Sequence, residues 1–186
     1  MQLLRLWQLE GDIIGMCFDT TASNTGGDKG TCKLLQDHLG RNLLYFACRH
    51  HVHEVIIGAV FKALFGPSTG PNILLFERFK GVWSSIDQKV YRPLDDTRLD
   101  EPFMLDLKCL TVSFLREALS SNSSYLPRED YRELIELCLL VLGISIGEQP
   151  YRFRAPGAYH LARWMAKVIY SFKIYLFRDH FLTHTQ

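Results

Sequence analysis

The chain has 186 residues, 47% of them hydrophobic, and a formal net charge of +1 at pH 7. This length and composition favour one globular domain, or slightly more, with a buried core, and they argue against intrinsic disorder. The nearly neutral charge gives no whole-chain signal for a nucleic-acid-binding or membrane-surface protein, but it allows a local basic face. No apolar run approaches the ~20 residues that span a bilayer, so we expect no membrane partner.

The first third of the chain has the pattern of a small sheet with helices. Residues 13–19 and 42–47 are predicted strands, the first apolar on both faces, as in a sheet that is covered on both sides. Turn residues fill 20–30, and a helix is predicted from about 28 to 39, with Gly40 as its C-terminal cap. A second helix is predicted from about 49 to 65. Its broad apolar face consists of Val52, Val55, Ile56, Ala59, Val60, Ala63 and Leu64.

After a Gly- and Pro-rich loop, the remaining chain has helical spacing. A short helix is also predicted at the N-terminus, within residues 1–10. The later predicted helices cover 72–88, 103–119, 128–142 and 158–181. The predicted fold class is therefore α+β (mixed α/β), with a partial sheet core in residues 1–66 and a helical region in residues 72–186.

The cysteine pattern indicates the redox environment. The five cysteines are odd in number, widely spaced and mostly inside apolar runs. We therefore expect reduced, buried thiols in an intracellular protein. The residues concerned are Cys17, Cys32, Cys48, Cys109 and Cys138.

Asp19 is the best-placed chemical residue, because it follows directly on the first predicted strand. Ligands of open α/β sheets bind outside the carboxyl ends of the strands. The competing interpretation is that Asp19 only caps the following turn through backbone N–H groups. Asn24 has two interpretations of the same kind, a hydrogen bond to an active-site turn or a local Asx turn.

A Cys and His cluster follows the second predicted strand. Cys48 and His51 lie three residues apart, as do His50 and His53, so each pair can share one face of a helix. A structural zinc site needs four ligands, usually from two segments, and no second segment completes the set. Zinc is therefore not expected, and the simpler interpretation is a helix start with one buried face.

Basic residues recur in the C-terminal part. His160, Arg163 and Lys167 share one helical face, which could meet nucleic-acid phosphates or could be the solvated side of an amphipathic helix, with Trp164 as a core anchor. The run from Tyr151 to Arg154 alternates aromatic and basic residues, a pattern that can stack on bases and pair with phosphates. An ordinary loop or edge strand explains that single run equally well.

Three segments together resemble hAT-type transposases. They are CFDTTASNTG, which contains Asp19 and Asn24, then CRHH, which contains Cys48 and His51, and ARW, which contains Trp164. They most resemble a group of transposon-derived eukaryotic proteins. The resemblance implies a partial RNase H-like sheet core followed by a helical insertion. It also implies DNA as a partner, an intracellular and nuclear location, and Mg²⁺ or Mn²⁺ as cofactor of a complete parent protein.

In that family, three carboxylates surround two divalent ions, and only Asp19 matches one of them by motif. We expect the first Asp to lie upstream of this chain and the last Glu downstream. Three hypotheses follow. The chain is a catalytically incomplete relic with residual DNA binding, or part of an active metal-dependent transposase or nuclease to which it supplies Asp19, or a helical protein-interaction module. Exposed apolar surface would favour homo-oligomers in the last case.

Overall fold

The computed structural model describes residues 2–66, 73–95, 97, 101–120, 128–147, 150–157 and 164–183, without the side chains of 182 and 183. The chain divides into two compact units, residues 1–67 and 68–186. Its described part is mixed and mostly helical, with a small two-stranded parallel sheet. The α+β class predicted from the sequence is thus confirmed at this coarse level.

The sheet lies in the first unit and consists of two short parallel strands. Strand β1 is Gly15–Phe18 and strand β2 is Leu44–Ala47. Phe18 pairs with Ala47, so both strands end at the same edge of the sheet. Parallel strands need a crossover of a dozen or more residues, and residues 19–43 supply it. Both strands fall inside the ranges predicted from the sequence.

The described part of this unit also contains four helices: α1 Gln2–Leu6, α2 Ala22–Thr25, α3 Thr31–Leu39 and α4 Arg49–Phe65. Helix α3 ends at Gly40, whose φ of 63° is the left-handed conformation that glycine adopts without strain. The single turn α2 lies inside a stretch predicted as non-helical, and α3 begins three residues later than expected. Residues 27–29 form a turn between these two helices.

The apolar faces of the first unit are more exposed than expected. In the sheet, the side chains of Leu44 and Phe46 are 59% and 56% exposed. The predicted core face of α4 is also largely exposed, and Phe61 is the buried residue of that helix. The expectation of a sheet covered on both sides is therefore wrong for the described structure. Periodicity shows which residues share a face, but not whether another element packs on it.

The second unit is helical where it is described. Its helices are α5 Leu74–Val82, α6 Pro102–Leu119, α7 Glu129–Val141, α8 Trp164–Leu176 and α9 Arg178–Thr183, with a 3-10 turn at Trp83–Ser85. The chain between α8 and α9 turns at Phe177, so the last predicted helix is divided. Residues 158–163 of that prediction lie outside the described residues.

The core of the second unit forms where α7 and α8 pack together. Leu137, Leu140 and Ile169 are almost fully buried there. Phe76 of α5 stacks on Tyr170 of α8 at 4.6 Å between ring centroids. An extended segment at 91–94 ties the two helix ends together, since Arg92 N–H donates to the Leu176 carbonyl and Leu94 N–H to the Val141 carbonyl.

A buried ion pair crosses the α7–α8 interface. Lys173 and Glu133 are 0% and 1% exposed, and the Lys173 Nζ lies 2.6 Å from Glu133 Oε1. Lys173 Nζ also donates to the Arg154 carbonyl at 2.7 Å. Burial lowers the pKa of Lys173, and the Glu133 carboxylate opposes that shift. The pair thereby joins α7, α8 and the segment 150–157.

The five cysteines are all free thiols, and none is fully buried. Cys17 and Cys109 are exposed, because each lies on a face that no other described element covers. The expectation of buried thiols is therefore wrong. Among the described residues, no helix combines the length and apolar character that crossing a membrane requires.

Candidate functional site

The carboxyl edge of the β1–β2 sheet carries the predicted site. Asp19 directly follows β1, and Cys48 directly follows β2. Because Phe18 and Ala47 are paired and the Cys48 N–H donates to the Phe18 carbonyl at 3.0 Å, the two chain segments leave the sheet side by side. This edge is where open α/β sheets place ligands.

The Asp19 carboxylate is held by one oxygen. Its Oδ1 accepts hydrogen bonds from the Thr21 N–H at 3.1 Å, the Thr21 hydroxyl at 2.5 Å and the Asn24 amide at 2.8 Å. Among the described residues, no hydrogen bond reaches Oδ2. One oxygen is therefore fixed in place, while the other keeps its lone pairs for a ligand.

These hydrogen bonds distinguish the two interpretations of Asp19 and Asn24 that the sequence left open. The bond from the Thr21 N–H is the local capping contact that the sequence allows for any Asp in a turn. The bond from Asn24 is different, because Asn24 lies in α2 and its side chain returns to Asp19 across five residues. Asn24 therefore contacts the carboxylate of the candidate site.

The pKa of Asp19 lies below its ordinary range. The largest cause is the Thr21 hydroxyl, followed by the Thr21 N–H and the Asn24 amide, all of which favour the carboxylate. A smaller electrostatic influence of His51, in the first turn of α4, also lowers the pKa of Asp19. Asp19 is consequently ionised at neutral pH, as a cation ligand must be.

His51 is the part of this site that sequence reasoning placed in a different role. The sequence pairs it with Cys48 on one helical face, whereas the structure brings it close enough to Asp19 for an electrostatic interaction. The signal was present in the order of elements. Two parallel neighbours end at one edge, so the first turn after β2 meets the first residue after β1.

A tight backbone turn supports Asn24. Gly30 is buried, and a Cβ there would lie 2.4 Å from the Gly26 carbonyl oxygen and 2.7 Å from the Asn24 carbonyl oxygen. Only glycine fits such a close approach without moving the backbone. Gly30 therefore helps to hold α2, and with it the Asn24 side chain, against Asp19.

Asp19 is the candidate metal ligand at this edge in the described structure. No group of three or more His, Cys, Asp and Glu side chains converges among the residues that the structure describes. Asp19 Oδ2 fits one hard divalent cation whose remaining ligands are water or phosphate oxygens. Cys48 and His51 are only partly exposed, and they do not join His50 and His53 in a described four-ligand set.

The predicted basic stripe can be placed only in part. Lys167 and Trp164 lie on α8, and both side chains are partly exposed. Trp164 was predicted as a core anchor and is partly buried, and the fully buried positions of α8 include Met165, Ile169 and Tyr170. His160 and Arg163 lie outside the described residues.

No family model, curated protein or solved structure matches the chain.

Proposed function

We propose that this chain is a transposase-derived, RNase H-like protein in which Asp19 is the carboxylate of a divalent-cation site. One observation carries the proposal. Asp19 follows β1 at the carboxyl edge of a parallel strand pair, with Oδ1 fixed by Thr21 and Asn24 and Oδ2 without a hydrogen bond from the described residues. The resemblance of the CFDTTASNTG, CRHH and ARW segments to hAT-type transposases supports the same assignment.

The chemistry of Mg²⁺ and Mn²⁺ suits this arrangement. Mg²⁺ is commonly bound by one or two carboxylates, with water and phosphate oxygens as its other ligands. When bound, the ion polarises a phosphoryl oxygen and lowers the pKa of its water. Thr21 and Asn24 hold Oδ1 of Asp19 and thereby orient Oδ2 toward such an ion.

Cleavage of a phosphodiester by two metal ions needs further carboxylates on rigid elements. Asp19 provides one. We therefore propose that the chain by itself binds a cation and DNA without cutting the DNA. In the alternative proposal, Asp19 is one member of a complete site in an active transposase or nuclease.

The proposal also includes DNA binding, and a DNA-binding protein of this kind would be located in the nucleus. Lys167 of α8, together with Arg163 and His160, would contact phosphates through charge rather than through base recognition. Affinity that depends on such contacts falls steeply with salt.

A binding and cleavage assay tests these statements together. We expect the full chain to bind duplex DNA with a salt-dependent affinity, and the Arg163→Ala/Lys167→Ala variant to weaken the binding. The charge-matched control Arg78→Ala/Lys80→Ala removes two exposed cations of α5 and should weaken DNA binding less. Equal losses in both variants would contradict a specific basic stripe. Mg²⁺-dependent cleavage that Asp19→Ala abolishes would support the active-enzyme alternative.

A second candidate function is self-association, which the exposed apolar side chains favour. Val55, Ile56 and Leu64 of α4 are 55%, 52% and 71% exposed, and β2 adds Leu44 and Phe46. Contiguous exposed apolar surface is common at protein interfaces. Sedimentation of the wild-type chain and of a Val55→Lys/Leu64→Lys variant tests it. A wild-type dimer that the two lysines dissociate supports a homo-oligomer, and a monomeric wild type contradicts it.

A further inference from the structure

The segment at 150–157 has an arrangement that the proposed function does not use. Its aromatic side chains turn inward: Phe153 is 5% exposed and contacts Tyr91, Tyr151 and Phe177 edge to face. The Tyr151 hydroxyl donates to Glu136 Oε2 at 2.7 Å. These rings are thus part of the core and are not free to stack on bases.

The arginines of the same segment border a cavity. Arg152 and Arg154 line a space of about 560 Å³, together with Arg132 of α7. This volume lies within the ~300–1,000 Å³ range of small-molecule sites. Leu119 and Ile146 give the cavity an apolar part, and Glu136 is its one acidic lining residue within the described structure.

The three guanidinium groups differ in how they are held. Arg154 is fixed by Glu129, with Nη2 2.8 Å from the carboxylate and Nη1 3.0 Å from the backbone carbonyl. Arg132 makes a longer contact of 3.7 Å with Glu136 Oε1. Arg152 is exposed and has no hydrogen bond or ion pair among the described residues.

The described part of the lining is therefore positively charged. Three arginines face one glutamate, and Glu129, which lies behind Arg154, offsets one further charge. The other oxygen of Glu136 already accepts from Tyr151, so Glu136 is engaged from both sides. An anion entering the cavity would meet donors from Arg152 and Arg132, with Arg154 held in place by a protein carboxylate.

We propose that this cavity binds the phosphate group of a small organic phosphate monoester. Guanidinium groups bind phosphate with paired N–H donors, and the three terminal oxygens of a monoester can engage more than one arginine at once. A carboxylate has only two oxygens with which to bind the same arginines. The apolar side of the cavity, with Leu119 and Ile146, would contact the organic body of the ligand.

Isothermal titration of the full chain with phenyl phosphate tests the proposal. We expect saturable one-to-one binding, weakened about tenfold or more in Arg152→Gln, because a charge-assisted hydrogen bond is lost. Arg152 is exposed and unpaired among the described residues, so this variant should fold like the wild type. Arg78→Gln, on the exposed face of α5 and away from the cavity, should bind like the wild type.

Four results with small ligands, and a fifth with an oligonucleotide, would each overturn the proposal. The four are the absence of saturable phenyl phosphate binding, equal affinity in Arg152→Gln, equal affinity for benzoate, and equal affinity for inorganic phosphate, which would make free phosphate the ligand. The fifth result comes from comparing phenyl phosphate with a single-stranded oligonucleotide that lacks a terminal phosphate. If it displaces phenyl phosphate and binds as tightly in an Arg152-dependent way, the site is for a nucleic-acid backbone and the monoester assignment is wrong.

Discussion

The side chain of Asn24 donates a 2.8 Å hydrogen bond to Oδ1 of Asp19, five residues earlier in the chain. This bond joins the single helical turn α2 to the end of β1. Together with two donors from Thr21, it occupies one oxygen of the carboxylate and orients the other. The candidate site therefore depends on the conformation of residues 19–30 as much as on Asp19 itself.

Removal of this bond should raise the pKa of Asp19. Asn24→Ala deletes a donor that favours the carboxylate, so we expect the pKa to move up toward its ordinary value of 3.8. A depressed folded-state pKa contributes stability above the unfolded-state pKa, and that stability is lost as the pH falls through the folded-state value. As the pH falls, the Asn24→Ala variant should therefore lose less folding stability than the wild type does. Carboxyl ¹³C NMR titration measures the pKa directly.

Asn42→Ala, at an exposed position before β2, is the matched control and should leave the titration of Asp19 unchanged. An Asp19 pKa that is the same in Asn24→Ala and wild type would show that Asn24 does not act on the carboxylate.

Gly30 and Gly27 provide a matched pair in the same turn. Gly30→Ala would place a Cβ 2.4 Å from the Gly26 carbonyl oxygen, whereas a Cβ at Gly27 meets nothing within 4 Å. We expect Gly30→Ala to lower the free energy of unfolding by about 1–3 kcal/mol, the range for overpacked sites. Gly27→Ala should be neutral or slightly stabilising. Urea unfolding measures both, and equal effects of the two substitutions would refute the close approach.

The ion pair between Glu133 and Lys173 makes a prediction about the second unit. Glu133→Ala or Lys173→Ala leaves an uncompensated buried charge and should destabilise by about 3–5 kcal/mol. The double variant Glu133→Leu/Lys173→Met removes both charges with similar volume and should lie much closer to the wild type. Lys80→Met, at an exposed position of α5, should stay within about 0.5 kcal/mol.

Chemical unfolding monitored by circular dichroism distinguishes these cases. Additive losses in the double variant would mean that the two side chains contribute independently, and the pairing would then not explain their burial.

Local signals in the sequence predicted a large part of the fold. The two strands follow from apolar runs, α4 follows from apolar residues recurring every three or four positions, and the end of α3 follows from Gly40. Asp19 was recognisable because it comes directly after a strand. The helical turn α2 could not be recognised from the sequence, because Ser, Asn and Thr favour turns over helices. The hydrogen bond from Asn24 to Asp19 forms only once α2 is in place.

Other features depend on packing between segments that are distant in sequence. A lysine at position 173 predicts a solvated helix position. Its burial is explained only by partners from other segments, the Glu133 carboxylate and the Arg154 carbonyl. The apolar face of α4 has the spacing of a core face and is nevertheless exposed, as Val55 and Leu64 show. Spacing along one helix carries no information about what lies against it.

Paramagnetic NMR with Mn²⁺ tests cation binding at Asp19 most directly. At substoichiometric Mn²⁺, we predict selective broadening of the resonances of Thr21, Asn24 and His51, which surround the carboxylate. The broadening should vanish in Asp19→Asn and persist in Asp37→Asn, which alters an exposed carboxylate of α3. The same pattern in Asp19→Asn, or broadening spread evenly over the surface carboxylates, would contradict a cation site at the end of β1.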